Sequence, residues 1–483
     1  MATTSAPACH GTPALTALTE PWMEELLADH QQCQTLLSKY GSPLNVMDFS
    51  AVARNIDELV NAATDRGVEL RVFVARKANK ALGLVDAAHA AGHGVDVASL
   101  RELEQCLERG VPGEDLIVTA AVKSRALLQV ALGSGSVVSV DNADELDDVL
   151  AVAESLPTDQ LPARLAVRMA ASHPDIAPSR FGLSCSRWIS VLARLSPQER
   201  GLLSVDGIHF HLNGYSARER ALALAEAGHF ADELRGQGHP VSFVDMGGGV
   251  PMNYLRSEEQ WREFWRALAA DSAGVLTWKG DRLGLQDPEA ARPSAALYPF
   301  WQEQIRGPWL GAVLDARTAE GESIASMLTR RRLHLRCEPG RAVLDGCGLT
   351  LAHVAFTKRD REGTGLVGLH MNRTQMRSTS VDVLLDPRWV EDPAAERTEA
   401  LDGFLVGAYC IEDEAILRRR LAFPGGVARS DIAAFVNTAG YLMHIIESAS
   451  HQLPLALNLV KSGGGWALDD IDSEGSRPQE LAR

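Results

Sequence analysis

The sequence lacks three features that would each point to a class of protein: an excess of positive charge, a long apolar run and paired cysteines. Lys and Arg number 47 against 63 Asp and Glu, and the formal net charge is −16. Nucleic acid is therefore not expected as a partner, because binding a phosphate backbone requires a basic face. No run approaches the ~18 apolar residues of a membrane-spanning helix, and residues 1–13 lack the pattern of a signal peptide. We expect no membrane contact.

Cysteine is sparse, with seven residues scattered along 483 positions and no CxxC pair. The odd count and the wide spacing argue against a disulfide framework and against a cysteine zinc site. Free thiols of this kind are typical of a reducing compartment. We therefore expect a cytoplasmic protein that holds no metal ion.

Short apolar stretches alternate with amphipathic ones from residue 49 to residue 245, and a last apolar stretch follows at 333–337. Strands are predicted at residues 70–75, 94–97, 116–119, 137–140, 164–168, 205–210, 241–245 and 333–337. One helix is predicted before the first of these strands, at residues 49–66, and others between later strands, at 81–91, 100–109, 125–133, 143–155, 188–195 and 217–237. Repeated β–α units of this length indicate a parallel sheet, and eight strands in one run favour a (β/α)8 barrel over an open sheet.

Two segments depart from this alternation. Residues 252–333 contain five tryptophans, and we interpret them as an insertion that packs on the barrel. After Gly340 the pattern changes to strands, at 349–357, 365–371 and 381–385, followed by helices at 412–419 and 440–446. We therefore divide the chain into a helix and a strand at 1–45, a barrel at 46–340 and a β-rich domain at 341–483. The N-terminal strand is expected to pack on the β-rich domain.

Polar residues gather at the predicted C-terminal ends of the barrel strands, where the loops of such barrels build active sites. Lys77 follows one strand, residues 209–214 end another, and glycines 247–249 follow a third. Glu338 and Arg341 follow the last strand. Each of these groups is weak support by itself, since lone lysines, histidines and glycine runs are more often structural.

Together these groups form one chemical set. A lysine amine forms a Schiff base with an aldehyde, and glycines after a strand offer backbone N–H groups to a phosphate. An arginine can bind the same phosphate, a histidine ring can stack on a flat heteroaromatic ring, and a carboxylate can keep a ring nitrogen protonated. A phosphorylated aromatic aldehyde meets all of these requirements, so the sequence predicts pyridoxal phosphate as the cofactor.

Seven motifs, in order, resemble those of the fold-type III pyridoxal-phosphate decarboxylases. These include diaminopimelate, ornithine and arginine decarboxylases and relatives in the synthesis of siderophores and other secondary metabolites. The motifs are ARKANK, GVDVASLREL, FHLNG, DMGGGVP, CEPGR, VGAYCIED and NTAGY, and the resemblance runs from about residue 43 to residue 449. It implies an alanine-racemase-like barrel followed by a C-terminal β-barrel or β-sandwich, and a homodimer with shared active sites.

The resemblance assigns roles around the reacting end of the cofactor. Lys77 matches the lysine that forms the Schiff base, and His211 matches the ring that stacks on the face of the cofactor. Asp96 and Glu102, both in GVDVASLREL, match acidic positions near the lysine and the ring.

Further roles follow for the phosphate, the ring nitrogen and the proton donor. The phosphate-binding loop matches three glycines in a row, Gly247, Gly248 and Gly249. Arg341 and Tyr441 match residues beside the phosphate, and Glu338 matches the carboxylate at the pyridine nitrogen. Cys410 matches a cysteine that a dimer partner contributes for protonation.

The resemblance breaks down at three places. Where the family has Gly-Ser, this chain has Asn213-Gly214, so the serine donor to the phosphate is replaced by Asn213 or supplied elsewhere. Where the family has an acidic residue for a distal amine, this chain has Ile411, and Glu412 and Asp413 after it become candidate substrate contacts. Residues 371–377 match a family segment in part, and Arg377 matches its arginine, which binds a distal carboxylate in diaminopimelate decarboxylases, although the Pro-Ala-Leu-Tyr that follows it in the family is lost. A solvated loop charge is the alternative interpretation of Arg377.

The resemblance implies decarboxylation of an amino acid with a second polar or carboxylate end, through a Schiff base, a quinonoid and reprotonation. Glu338 would make the ring a strong electron sink, which counts against simple racemisation. Cys410 would then deliver a proton to the carbanion. The alternatives are an epimerase or a carbon–carbon bond-forming enzyme of the same fold, and a non-catalytic decarboxylase-like regulator.

Overall fold

Strands and helices alternate through the first half of the computed structural model, which describes residues 7–294, 297–298, 300–378, 384–397 and 399–473. In chain order its strands are β1 (His10–Gly11), β2 (Leu44–Met47), β3 (Leu70–Ala75), β4 (Gly94–Val97), β5 (Leu116–Val118), β6 (Val137–Val140), β7 (Ala163–Arg168), β8 (Leu203–His209), β9 (Phe243–Asp245), β10 (Leu285–Asp287), β11 (Arg292–Pro293), β12 (His334–Cys337), β13 (Gly348–Arg359), β14 (Gly365–Leu369), β15 (Arg388–Val390), β16 (Leu401–Val406), β17 (Ala415–Phe423), β18 (Ile432–Val436), β19 (Leu457–Ser462) and β20 (Gly465–Leu468).

The helices start where the local sequence provides a cap. In chain order they are α1 (Pro21–Leu27), α2 (His30–Tyr40), α3 (Ala51–Thr64), α4 (Leu82–Ala90), α5 (Leu100–Glu108), α6 (Arg125–Gly133), α7 (Ala143–Ala153), α8 (Cys185–Ala193), α9 (Pro197–Leu202), α10 (Ala217–Gly236), α11 (Glu258–Ala270), α12 (Arg306–Asp315) and α13 (Ile324–Arg330). The side chains of Ser99, Ser124 and Asn142 accept hydrogen bonds from backbone N–H groups in the first turns of α5, α6 and α7.

Residues 52–251 and 304–343 form the barrel unit. Its eight parallel strands close in the order β3 to β9 and then β12, which pairs with both β9 and β3. The buried side chains of Phe73, Ile117 and Phe243 pack together as one core cluster. The closed barrel confirms the predicted fold class.

The segment predicted as one insertion, residues 252–333, is divided between two units. Residues 304–333 carry α12 and α13 and belong to the barrel unit, whereas residues 252–303 do not. Trp309 and Leu314 are among the buried side chains of α12. The apolar residues at 304–333 therefore form helices that precede the last barrel strand, and only 252–303 lies outside the barrel unit.

Residues 1–51, 252–303 and 344–483 form the second unit, here called the β unit. Its main sheet has the order β1-β17-β16-β14-β13-β2-β19-β20, with β18 paired to β13 and β15 paired to β18. β2 is antiparallel to β13 and parallel to β19, and all four of its residues are buried. The β-rich domain predicted after the barrel is therefore confirmed, and a strand that precedes the barrel in sequence is an interior strand of its main sheet.

The helix predicted at residues 412–419 is wrong. Most of this region belongs to β17, in which buried and partly exposed residues alternate with the period of two of a strand. Three successive arginines hide that alternation in the sequence. Each pairs with an aspartate that is distant in sequence, as Arg418 with Asp281 and Arg420 with Asp402 show.

The helix predicted at residues 440–446 is also wrong, because this region is a series of turns. Tyr441 has a φ of 72°, which lies in the left-handed region and ends any right-handed helix. The strand predicted at 381–385 falls largely on residues 379–383, which are outside the described residues.

All seven cysteines are free thiols, and in the part of the chain that the structure describes only Cys410 is exposed. Burial raises the pKa of Cys106 to about 12, which makes that thiol a poor nucleophile. None of the described helices is both long enough and apolar enough to cross a membrane.

Candidate active site

A cavity of about 240 Å³ opens at the C-terminal ends of the barrel strands. It is lined by Lys77, Ala98, Thr119, Ala120, Ala121, Arg168, Phe181, His209, His211 and Glu338. Three residues predicted to hold the cofactor, Lys77, His211 and Glu338, therefore share one cavity. Its position is that of the active site in barrels of this type.

Lys77 lies in a short 3-10 turn, Arg76–Ala78, directly after β3. Its side chain is 41% exposed, and its Nζ donates a hydrogen bond of 2.6 Å to Oδ2 of Asp96 on β4. The Asp96 side chain is 0% exposed and also accepts a hydrogen bond from the hydroxyl of Thr119. A buried carboxylate thus anchors the amine while the rest of the lysine side chain remains accessible from the cavity.

Glu338 follows β12 and is buried next to other acidic groups. Desolvation and the negative charges of Asp96 and Asp245 raise the pKa of its carboxyl well above the usual value. Among the described residues, its Oε1 atom has no hydrogen-bond partner, and Nε2 of His209 lies 3.5 Å away. A buried carboxyl oxygen without a partner is suited to a further hydrogen bond with a ring nitrogen.

His209, the last residue of β8, is kept neutral by its surroundings. Desolvation and the charge of Arg168 lower the pKa of His209 well below its usual value. Nε of Arg168 donates to Nδ1 of His209 at 3.2 Å, so the ring proton is assigned to Nε2, which faces Glu338. Hydrogen bonds of 3.1 Å to Asp141 and 2.8 Å to the carbonyl of Thr119 fix the guanidinium of Arg168.

The group formed by His209, Asp245 and Glu338 also contains the donor types of a metal site, since one ligand atom of each lies within 4.8 Å of the others. Burial raises the pKa of both carboxyls, that of Asp245 as well as that of Glu338. A metal ion binds ionised carboxylates, and the burial that raises the pKa of both groups opposes that ionisation.

His211 presents its ring to the cavity. Phe181 meets this ring edge-on, with 5.6 Å between the ring centroids and 84° between the planes. Although the ring faces the cavity, the surrounding protein desolvates it, and this effect together with the charge of Lys77 lowers the pKa of His211 to about 4. A neutral ring supported at its edge is suited to stacking on a flat heteroaromatic group.

The three glycines after β9 form a tight loop beside the end of β12. Gly247 and Gly249 have φ values of 66° and 80°, in the left-handed region that favours glycine. A Cβ atom on Gly247 would lie 2.8 Å from the carbonyl oxygen of Phe210, and one on Gly248 would lie 3.0 Å from that of Glu338. In the described part of the chain no hydrogen bond is found for the N–H groups of Gly248 and Gly249, so this loop has the form of an anion cradle.

Two more predicted residues belong to the barrel unit. Arg341 is buried in the stretch that follows β12. Glu102 lies in the first turn of α5, where its Oε2 accepts a hydrogen bond of 2.7 Å from the backbone N–H of Ala98. Glu102 therefore fixes the backbone of a cavity-lining residue, and desolvation raises the pKa of its carboxyl.

The other predicted residues lie in the β unit: Tyr441, Cys410, Arg377, Glu412 and Asp413. Cys410 is exposed in the connection between β16 and β17. Nη2 of Arg377 donates a hydrogen bond of 3.0 Å to the carbonyl of Ala415. Tyr441 is half-buried in the turns after β18.

Glu412 and Asp413 differ in their surroundings. Asp413 accepts hydrogen bonds from Nη1 of Arg373 at 3.0 Å and from Nη2 of Arg418 at 2.5 Å, so its charge is matched within the protein. The side chain of Glu412 is exposed, and its backbone carbonyl accepts a hydrogen bond of 2.9 Å from Nζ of Lys279. Neither residue therefore presents a desolvated carboxylate to a substrate amine.

Several buried charged residues near the cavity are not evident from the sequence. Arg168 is the last residue of a predicted barrel strand, and this position could have indicated that it lies at the active site. Nζ of Lys123 donates hydrogen bonds of 2.8 Å to Glu145 and to the carbonyl of Ala120, which lines the cavity. Arg220 on α10 is fully buried. Lys123 falls in the loop between a predicted strand and a predicted helix, and Arg220 falls in a polar part of a predicted helix, so no local signal marks either as buried.

The residues present fit pyridoxal phosphate on three observations. The side chain of Lys77 is accessible from the cavity, and Oε1 of Glu338 has no partner among the described residues. The N–H groups of Gly248 and Gly249 in the glycine loop have no hydrogen-bond partner among the described residues. An amine, a buried carboxyl and an anion cradle are the groups that the aldehyde, the ring nitrogen and the phosphate of this cofactor require.

Comparisons with known proteins agree with this fit. Residues 52–281 match the family described as "Pyridoxal-dependent decarboxylase, pyridoxal binding domain". The chain is 30% identical over 423 residues to an uncharacterized protein, y4yA, of Sinorhizobium fredii. The aligned region covers 86% of this chain and 87% of the relative. It is 28% identical over 309 residues to a diaminopimelate decarboxylase of Deinococcus radiodurans, which covers 57% of this chain and 78% of the relative.

The fold is also similar to that of a solved diaminopimelate decarboxylase. The crystal structure of diaminopimelate decarboxylase from Helicobacter pylori complexed with L-lysine superposes with a TM-score of 0.64 at 17% identity, over 90% of this chain and 95% of that chain. The family match begins at the first residue of the barrel unit and includes Lys77, Asp96 and His211. The chain is therefore a member of the fold-type III pyridoxal-phosphate-dependent decarboxylases, a family of amino-acid carboxy-lyases, and its cofactor is pyridoxal 5'-phosphate.

Proposed function

We propose that the barrel cavity holds the cofactor through Lys77, Glu338 and the glycine loop at 247–249, and that the enzyme decarboxylates an amino acid with a second carboxylate at its distal end. The observation that carries this proposal is the placement of an accessible lysine amine, anchored by Asp96, in the same cavity as a buried carboxyl with a raised pKa. When bound, the cofactor supplies an aldehyde for amines and a ring that withdraws electrons.

The residues of the cavity divide the remaining tasks. Asp96 orients the amine of Lys77 through a 2.6 Å hydrogen bond. Glu338 holds a proton next to the ring nitrogen, since its raised pKa favours the protonated carboxyl. His211, whose ring lies at the cavity, would stack on the ring of the cofactor. Three alanines, Ala98, Ala120 and Ala121, also line the cavity and contribute no polar side chain to it.

We further propose that Cys410 delivers the proton that replaces the lost carboxyl group, and that it does so in a homodimer with shared active sites. The support lies in an exposed thiol on a well-anchored connection. The hydroxyl of the neighbouring Tyr409 donates a hydrogen bond of 2.9 Å to the carbonyl of Ser448, and the Tyr409 ring stacks on His451 with 4.8 Å between centroids. The backbone next to Cys410 is thus fixed while its thiol faces outward.

Replacing Cys410 by alanine is expected to lower kcat by about 100-fold with little change in KM, because a positioned general acid contributes at least that factor. Steady-state kinetics with the preferred substrate gives both constants. Cys185→Ala is the matched control, since Cys185 is the half-buried thiol of the barrel unit and hydrogen-bonds Glu226. A kcat within about twofold of wild type in the Cys410 variant would rule out its role as the acid.

The distal end of the substrate is proposed to meet Arg377. The support comes from what surrounds the candidate acidic residues: Asp413 is matched by two guanidinium groups, and Glu412 is solvent-exposed. A distal amine therefore finds no desolvated carboxylate among these residues, whereas a guanidinium is suited to a distal carboxylate.

Arg377→Met is expected to raise KM for amino acids with a distal carboxylate by about 10- to 100-fold, the range for a charge-assisted hydrogen bond. The measurement is kcat and KM on a panel with distal carboxylate, distal amine or both. Arg359→Met is the control in the same unit, because Arg359 also donates to backbone carbonyls, those of Gly363 and Ala400. Equal effects on all members of the panel would contradict a role in specificity.

The reaction class is tested by measuring CO2 release and exchange of the α-proton on the same panel. We expect stoichiometric CO2 release from at least one dicarboxylic amino acid, with α-proton exchange only as a side reaction. Exchange without CO2 release from any member would contradict the proposed decarboxylation and favour racemisation or epimerisation.

A further inference from the structure

Arg220 is a buried guanidinium directly behind the glycine loop. It lies in the first turn of α10, its side chain is 0% exposed, and its Nη2 donates hydrogen bonds to three backbone carbonyls. The acceptors are Gly214 at 2.7 Å, Leu212 at 3.1 Å and Gly248 at 3.1 Å. Leu212 and Gly214 follow β8, whereas Gly248 follows β9. One guanidinium therefore holds together the two loops at this edge of the cavity.

The charge of Arg220 is compensated only in part, by the charge of Glu219 and by the ring of Trp309, whose centroid lies 5.7 Å from the guanidinium carbon. In the part of the chain that the structure describes, its Nε and Nη1 atoms have no hydrogen-bond partner, and no carboxylate lies within ion-pair distance. Desolvation lowers the pKa of Arg220 to about 10, which leaves it positively charged at neutral pH. A buried cation that is only partly compensated is unfavourable, so the electrostatics call for an anion close by.

The backbone of the glycine loop shows where that anion fits. Gly249 has a φ of 80°, and a Cβ atom on it would contact Nη2 of Arg220 and lie 2.6 Å from the carbonyl oxygen of Gly214. The third glycine is thus required by the approach of the guanidinium. On the same loop, no hydrogen bond is found among the described residues for the N–H groups of Gly248 and Gly249.

We propose that Arg220 is the positioning residue of the cofactor-phosphate site, which fixes the glycine loop and provides the positive charge that the phosphate requires. A phosphate dianion would provide the negative counter-charge for the Arg220 guanidinium. Binding of the cofactor phosphate would therefore stabilise both the buried cation and the glycine loop. Arg220 in this way supplies a positive charge behind the loop, next to the segment in which Asn213-Gly214 stands where the family has Gly-Ser. This inference rests on the proposed assignment of the glycine loop to the phosphate.

The test compares pyridoxal phosphate with pyridoxal, which lacks the phosphate. Full-length wild type, Arg220→Met and Arg220→Gln are freed of cofactor and titrated with each ligand, and the visible absorbance of bound ligand gives both Kd values. Wild type is expected to prefer pyridoxal phosphate, and Arg220→Met should reduce this preference by about 10- to 100-fold, with Kd for pyridoxal changed less than about threefold.

The Gln variant separates charge from structure. Gln retains N–H donors for the loop carbonyls but carries no charge, so it should reduce the preference as much as Met does if the charge is responsible. Arg235→Met is the matched control on the same helix, because Arg235 also donates to backbone carbonyls, those of Val241 and Arg331. It should leave the preference for the phosphorylated ligand unchanged.

Two outcomes would overturn the inference. One is an unchanged preference in the Arg220 variants, and the other is an equal loss of affinity for both ligands, as a purely structural role would produce. A wild type that does not distinguish the two ligands would instead overturn the assignment of the glycine loop itself, so the two failures are distinguishable. If Arg220→Met fails to fold, Arg220→Gln decides the same question.

Discussion

Replacing Lys77 by alanine is expected to lower kcat/KM by at least ~10⁴-fold, the scale on which enzymes lose activity when the group that forms a covalent bond is removed. The physical reason is that Lys77 is the only amine among the described residues that line the cavity. Steady-state kinetics measures the loss. Reduction with borohydride followed by mass spectrometry should find the cofactor attached to Lys77 in wild type and no attachment in the variant.

Lys77→Arg is the matched control for charge. Arginine keeps a cation beside Asp96, which in wild type accepts the 2.6 Å hydrogen bond from Nζ, but it cannot bond to the aldehyde. We expect this variant to be as inactive as Lys77→Ala yet to melt at a higher temperature, because the alanine variant leaves a buried carboxylate without its cation. Activity within about tenfold of wild type in either variant would contradict the assignment of Lys77.

Glu338→Gln is expected to lower kcat by about 10²- to 10³-fold while the cofactor still binds. The amide fills the same volume but holds no proton to share with the ring nitrogen, so charge that develops on the ring is no longer stabilised there. Kinetics and the visible spectrum of the bound cofactor test this together. If Glu338→Gln retained more than about one third of the wild-type kcat, the proposed role of Glu338 at the ring nitrogen would be wrong.

The same substitution should stabilise the chain when the cofactor is absent. Burial and neighbouring carboxylates raise the folded pKa of Glu338 well above 4.5, so the folded state binds the proton more tightly than the unfolded state. The stability contribution of this group is therefore complete below pH ~4.5 and is lost as the pH rises through the raised folded pKa. Glutamine does not titrate, so the Glu338→Gln variant should not lose this stability as the pH rises.

We expect the free energy of unfolding of cofactor-free Glu338→Gln to exceed that of wild type at pH 8, and by more at pH 8 than at pH 5, because the pKa of Glu338 is raised in the folded state. Urea unfolding at pH 5 and pH 8 measures the difference. Asp245, whose pKa is also raised, keeps a smaller pH dependence of the same sign in the variant. A variant less stable than wild type at pH 8 would show that Glu338 is not held in the neutral form.

Much of the barrel was predictable because its signals are local. The strand predicted at 70–75 is β3, the one at 137–140 is β6, and the helix predicted at 125–133 is α6. Each is a short apolar or amphipathic run whose ends are marked by caps or turn residues. β17 was missed because Arg418, Arg419 and Arg420 interrupt its pattern, and their partners are aspartates that only the folded chain brings close.

Which residues meet at the cavity was also largely predictable from the sequence. Parallel strands of one barrel end at the same edge, so Lys77, His211 and Glu338 could be expected together from their positions alone. Buried charges follow a different rule, because a charge can be buried only where its partners are. The carbonyl of Gly248 is a partner of Arg220, and Glu145 is the partner of Lys123, and neither pairing leaves a mark in the local sequence.

The path of the chain between the two units also bears on how this protein is synthesised. The chain passes from one unit to the other four times, after residues 51, 251, 303 and 343. Met47 on β2 pairs with Gly348 on β13, so a central strand of the β unit leaves the ribosome long before its partners exist. Pairing of such distant segments is slow and leaves a strand edge exposed in the meantime. Barrel strands β3 to β9 and β12 are all complete before β13 emerges, so nascent chains should acquire protease resistance in the barrel first.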